Sequence, residues 1–184
     1  MSARLGFGVL GAVIAVAMTL ASVSVAVPVG DDDLPKPSAP KAGRHIDYGL
    51  ELYKLKGRCN SCHGWAGDGM GAPHSAGNGA NLRKTKLSRK EITEVISCGR
   101  PGTAMPHFNA FAYSEDHCYG ATEADLGDAI PPDAPRSLQR REIEAIVDYL
   151  NARVIGRGEP NKADCIEFYG NRPVCDPYPD APKR

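Results

Sequence analysis

The chain has no excess of either charge, few aromatic residues, no internal repeat and no sustained alternation of polar and apolar positions. Its 22 Lys and Arg balance 22 Asp and Glu. Neither the basic footprint of a nucleic-acid binder nor a polybasic membrane patch is therefore indicated. Aromatics make up 7% of the 184 residues, while 20 Gly and 15 Pro point to extensive loops. Without a period of two, no substantial sheet is expected, and the predicted class is all-α. The length fits one domain plus extensions.

The one long hydrophobic run is terminal. Residues 5–29 carry no charge and are mostly Leu, Val, Ala, Ile and Gly. Ser24-Val25-Ala26 has the small-x-small pattern of a cleavage site, so residues 1–26 are expected to be an export signal. The rival is an uncleaved anchor, because the run exceeds the roughly 20 residues that span a bilayer. Either way the rest of the chain is expected outside the cytoplasm, in the periplasm. Residues 27–44, with Asp31-Asp32-Asp33 and Pro35, Pro37 and Pro40, read as a flexible linker.

Cys59-Asn60-Ser61-Cys62-His63 is a C-x-x-C-H motif, the attachment signal for a covalent c-type haem. Two thiols at this spacing can each add to one haem vinyl group, and the following histidine can supply an imidazole nitrogen to iron. The motif occurs once, so one haem is expected, and that large apolar group would fill much of the core. A thioredoxin-like use of the two cysteines would need a preceding strand, and none is read here.

Around the motif the pattern is helical. Tyr48, Leu52 and Leu55 predict a helix from about Ile46 to Lys56, stopped by Gly57. Residues 64–79 hold six glycines and read as loop. Ser88-Arg89-Lys90-Glu91 is a capping box. It opens a helix with an Ile92, Val95, Ile96 stripe, which ends at Gly99. A last helix is expected from near Ser137 to about Val154, with Ile143, Ile146, Val147 and Leu150 on its buried face.

A second iron ligand must come from Met70, Met105, His74, His107 or His117. Met70 lies too close in sequence to His63 to reach the opposite side. Met105 stands after one helix in a loop stiffened by Pro101-Gly102 and Pro106, and a Met/His pair is a standard haem ligand set. Met105 is therefore expected to bind the iron. His107 is its main rival, being adjacent and a stronger donor.

On these motifs, residues 45–156 resemble a class I c-type cytochrome, in which a first helix leads into C-x-x-C-H, a loop carries the methionine and a last helix packs across the first. The resemblance implies a fold of about three main helices around one covalent haem. It also implies that a proline carbonyl, here that of Pro73, accepts a hydrogen bond from the other ring nitrogen of His63. Tyr149 and Gly49 match the aromatic–glycine helix crossing of that family. The stretch from Gly99 to Phe108, the insertion 109–136 and the Cys/Pro-rich tail 157–184 look similar to periplasmic cytochromes that serve quinoprotein (PQQ) dehydrogenases. Those pass electrons towards a terminal oxidase or another cytochrome. The expected role is thus a one-electron carrier, not an enzyme. The alternatives are a membrane-anchored haem subunit of a larger oxidoreductase, or a haem enzyme or sensor with a labile Met105.

Four cysteines remain. An even number in an exported chain suggests disulfides, and three pairings are possible. Cys98–Cys118 and Cys165–Cys175 are favoured because each closes a short loop. The first would tie down the segment that carries Met105. A metal site from these four is disfavoured by their wide spacing.

Overall fold

The computed structural model describes residues 42–75 and 77–181. The expected signal segment 1–26 and the linker up to residue 41 lie outside that range. Among the described residues the structure is helical, with no strand and only two isolated bridges, His107 with Asp133 and Cys118 with Ala121. No helix there is long and apolar enough to cross a membrane. The helices are α1 (Ala42–Glu51), α2 (Asn60–His63), α3 (Arg89–Cys98), α4 (Glu123–Leu126), α5 (Arg140–Tyr149) and α6 (Lys162–Tyr169). Two of them widen into one π-helical turn, α1 through Leu52–Lys56 and α5 through Leu150–Val154.

The first helix begins at Ala42, four residues before the expected start, so the end of the supposed linker is helical. It crosses α5 at Gly49. A Cβ there would lie 2.8 Å from the Cβ of Tyr149 and inside contact distance of the Ala145 backbone. The two backbones therefore approach as only glycine permits, which offsets the roughly 1 kcal/mol that glycine costs inside a helix. Tyr53 and Tyr149 pack next to this crossing, with ring centroids 5.6 Å apart.

The box at the start of α3 forms as the sequence implies. Ser88 Oγ accepts from the Glu91 N–H at 3.3 Å, and Glu91 Oε2 accepts from the Ser88 N–H at 2.7 Å. Ile92 and Ile96 are buried, while Val95 stays partly exposed. The start of α5 is later than the expected Ser137. Leu138 is buried and its N–H donates to the Phe108 carbonyl at 2.9 Å, which holds that residue outside the helix. Asp148 on α5 joins the other two long helices, receiving Arg89 of α3 and His45 of α1.

The core gathers Leu52, Tyr53, Ile92, Ile96, Ile143, Ile146, Val147 and Leu150. Phe168 joins it from α6, a helix that the proline-rich look of the tail concealed. Its start was nonetheless written in the sequence, as an Asn161 cap whose side chain accepts from the Asp164 N–H at 3.1 Å.

Glu142, in the first turn of α5, is buried yet charged. It accepts from Lys56 Nζ at 2.6 and 2.7 Å, from the Gln139 N–H at 2.8 Å and from the Tyr48 hydroxyl at 3.3 Å. Burial pushes its pKa up, but the Lys56 and Gln139 hydrogen bonds, the Lys56 charge and the Tyr48 hydroxyl outweigh it and hold the carboxyl below its ordinary value. A depressed folded-state pKa contributes stability above the unfolded value and loses it as the pH falls through the folded one. Glu142→Gln is expected to cost about 1–3 kcal/mol near neutrality. Melting curves of wild type and Glu142→Gln recorded from pH 7 downward should converge as the pH falls through the depressed folded-state pKa of Glu142. Parallel curves would show that Glu142 makes no such contribution.

Candidate haem site

The backbone brings the motif together in one short turn. After the π-turn of α1, Gly57 N–H donates to Leu52 O at 2.8 Å and Cys59 N–H to Tyr53 O at 2.9 Å. Arg58 takes a positive φ of 49°, which turns the chain into α2. Cys59 caps α2, and His63 N–H donates to the Cys59 carbonyl at 2.9 Å. Both cysteines are unpaired and partly buried. Burial pushes the Cys59 thiol up to about 12.

The ring of His63 is oriented by the loop that follows. Its Nδ1 lies 2.8 Å from the carbonyl oxygen of Ala80. A carbonyl only accepts, so Nδ1 carries the proton and the neutral ring presents an unprotonated Nε2. Burial pushes the imidazole pKa down, against a smaller upward effect of the Ala80 carbonyl, and so favours that neutral form. The expected partner, Pro73, is not the one used. Pro73 is exposed, and the loop beside it is pinned elsewhere, with Ala72 N–H on Ser61 O at 2.7 Å. The carbonyl that reaches His63 comes from the far end of the glycine-rich loop.

Gly79 makes that approach possible. Its N–H donates to Cys62 O at 2.7 Å, and a Cβ on it would lie 2.7 Å from His63 Nδ1 and 2.9 Å from Cε1. The loop backbone thus rests directly against the imidazole.

Of the other donors considered, each is placed differently. Met70 is 67% exposed. His74 is exposed at φ 67°. His117 is exposed and paired with Glu115. His107 is buried, but both its nitrogens are taken, Nδ1 by the Asn109 carbonyl at 3.0 Å and Nε2 by Asp133 at 3.1 Å. Met105 is half-buried and packs, like Cys59, against the main core. Its loop is closed by Arg100 N–H on Met105 O at 3.2 Å and by Met105 N–H on Thr103 Oγ1 at 3.2 Å. Gly99 turns the chain at φ 67°, and a Cβ there would lie 2.7 Å from the Met105 carbonyl oxygen.

Two residues beside the site carried no motif in the sequence. Trp65 stacks against Phe168, Tyr169 and Tyr178 of the tail, at centroid distances of 6.1, 5.8 and 5.0 Å, and its Nε1 donates to the Tyr178 hydroxyl at 3.2 Å. Arg83 is buried to 4% exposure. Its guanidinium donates to the carbonyls of Ala66, Arg157, Gly158 and Glu159 and to the Asp164 carboxylate at 2.8 Å. Both tie the tail to the segment just after His63. The tail cysteines 165 and 175 sit at disulfide distance, as do Cys98 and Cys118, with Cα atoms 5.5 Å apart in each pair.

The donor set fits a covalent haem: two free thiols flank one turn, a neutral imidazole is locked through Nδ1, and a glycine admits the locking strand of backbone. Residues 45–124 match the family model described as cytochrome c oxidase, cbb3-type, subunit III. No curated protein and no solved structure gave a match. The fold is all-α and cytochrome c-like, its cofactor is a covalently bound haem c, and the match supports a class I c-type cytochrome that transfers electrons.

Proposed function

We propose that this chain is an exported, periplasmic monohaem carrier of single electrons. It would take them from a dehydrogenase, such as a PQQ-dependent one, and pass them to a respiratory acceptor. The observation that carries this reading is the pair of donors: His63, with Nδ1 held by Ala80, and Met105, set against the core in a closed loop. Cys59 and Cys62 would hold the haem through thioethers, and His63 and Met105 would hold its iron. When bound, the haem supplies a one-electron ferric/ferrous couple, and a methionine ligand raises its potential. The protein's part is to keep both donors fixed so that little moves between the two states. The Ala80 carbonyl orients the imidazole and raises its basicity. Thr103, Arg100 and Gly99 brace the methionine loop.

The test is the absorption spectrum of the reduced protein with and without carbon monoxide. An unchanged spectrum is the expected result, because both axial positions are filled. Rapid binding would replace the carrier reading with that of a haem enzyme or sensor in which Met105 yields. A second reading, a fixed haem subunit of a membrane complex, is favoured by the description of the matching family as an oxidase subunit. It requires residues 5–29 to remain as an anchor, and a mature N-terminus near Val27 would exclude it.

A further inference from the structure

The balanced charge of the whole chain hides a strong local imbalance. The insertion 109–136 holds Glu115, Asp116, Glu123, Asp125, Asp128 and Asp133 against a single basic Arg136, while the chain as a whole is neutral. All six carboxylate residues are exposed. The insertion is a built lobe with its own small core, in which Ala112, Tyr113 and Cys118 pack with Cys98, Leu126 and Ile130. Tyr113 OH donates to the Cys98 carbonyl at 2.6 Å.

This lobe is fastened to the loop that bears Met105. Gly102 N–H donates to Ala129 O at 2.7 Å, His107 N–H to Pro132 O at 3.1 Å and Ala134 N–H to His107 O at 3.1 Å. The Tyr119 hydroxyl donates to Gly99 O at 2.8 Å. On it stands Phe111, 70% exposed beside the buried Ala112 and Tyr113. Its N–H is held by Asn109 Oδ1 at 3.0 Å and its carbonyl by Ser114 Oγ at 3.1 Å. A large apolar side chain kept in water on a rigid frame is what an interface anchor looks like before it docks.

We propose that the lobe 109–136 is the docking surface for a redox protein with a basic face, which receives Phe111 in an apolar pocket ringed by Lys or Arg. The carboxylates steer the encounter and Phe111 anchors it, on the side of the molecule that carries Met105. One electron would cross per encounter, from the reduced haem that Cys59, Cys62, His63 and Met105 would hold to the partner's oxidised centre, with no atom transferred. The inference rests on the carrier reading above.

The experiment is stopped-flow electron exchange between the reduced haem protein and a lysine-rich cytochrome c, at low and high ionic strength. The lobe variant is Asp116→Asn/Glu123→Gln/Asp128→Asn. A control removes the same charge from exposed positions elsewhere, Asp47→Asn/Glu51→Gln/Asp180→Asn. Wild type and control should lose at least about tenfold in rate on adding salt, and the lobe variant should lose far less. Phe111→Ser should slow exchange about tenfold at both ionic strengths, as expected for an interface anchor. Equal behaviour of the two triple variants, or unchanged exchange by Phe111→Ser, overturns the docking surface. A protein that titrates reversibly with one electron yet shows no lobe effect loses the docking surface alone. One whose ferrous iron binds carbon monoxide rapidly loses the carrier reading itself.

Discussion

Gly79→Val is expected to open the iron site. The new side chain would stand where the His63 ring now lies, within 3 Å of Nδ1 and Cε1. The ring and the loop must separate, and the bond from Nδ1 to the Ala80 carbonyl is lost. Losing such an orienting partner typically weakens metal binding by about 10–100-fold. The variant's reduced spectrum should acquire a carbon-monoxide-sensitive component that the wild type lacks, and Gly79→Ala should show a smaller one. A Gly79→Val protein that retains the wild-type spectrum in the presence of carbon monoxide would mean that the Ala80 contact does not hold the histidine. Pro73→Ala, by contrast, should leave the spectrum unchanged, since the ring does not use that residue.

Arg83→Met is expected to be the most destabilising single change. The side chain is 2% exposed, and its partner Asp164 is 19% exposed. Methionine fills similar volume but leaves Asp164 without its cation and four carbonyls without their donor. Breaking one side of a buried ion pair costs about 3–5 kcal/mol. Lysine cannot restore the fork that reaches several carbonyls at once, so Arg83→Lys should recover little. Urea unfolding of the haem protein would measure this, and limited proteolysis should cut the variant first between 157 and 162. A loss under about 1 kcal/mol would show that the tail is held by Trp65 and Phe168 instead.

The parts legible in the sequence were those written by local chemistry. The C-x-x-C-H turn, the Ser88–Glu91 box and the Ile92, Ile96 stripe each depend on residues within a few positions of one another. The Gly49–Tyr149 crossing was legible only through resemblance, since nothing near Gly49 announces its partner 100 residues away. Pro73 failed for a related reason. Which carbonyl meets His63 depends on how a loop with six glycines folds back, and glycine leaves that path unspecified until tertiary contacts choose it. Arg83 and Trp65 were silent because a lone arginine or tryptophan in a loop carries no periodicity. Their meaning lies in the tail that they hold, and α6 itself was masked by the prolines around it. The acidic lobe escaped notice because a neutral total averages it away.

The clasp between the tail and Trp65 also sets an order of events. Phe168 follows His63 by 105 residues. At synthesis rates of about 5–20 residues per second, that interval lasts roughly 5–20 s. Until it has passed, neither Phe168 nor Tyr178 exists to cover Trp65, and Arg83 has no Asp164 to grip. The cysteine pair therefore emerges before the segment that covers Trp65 has been made.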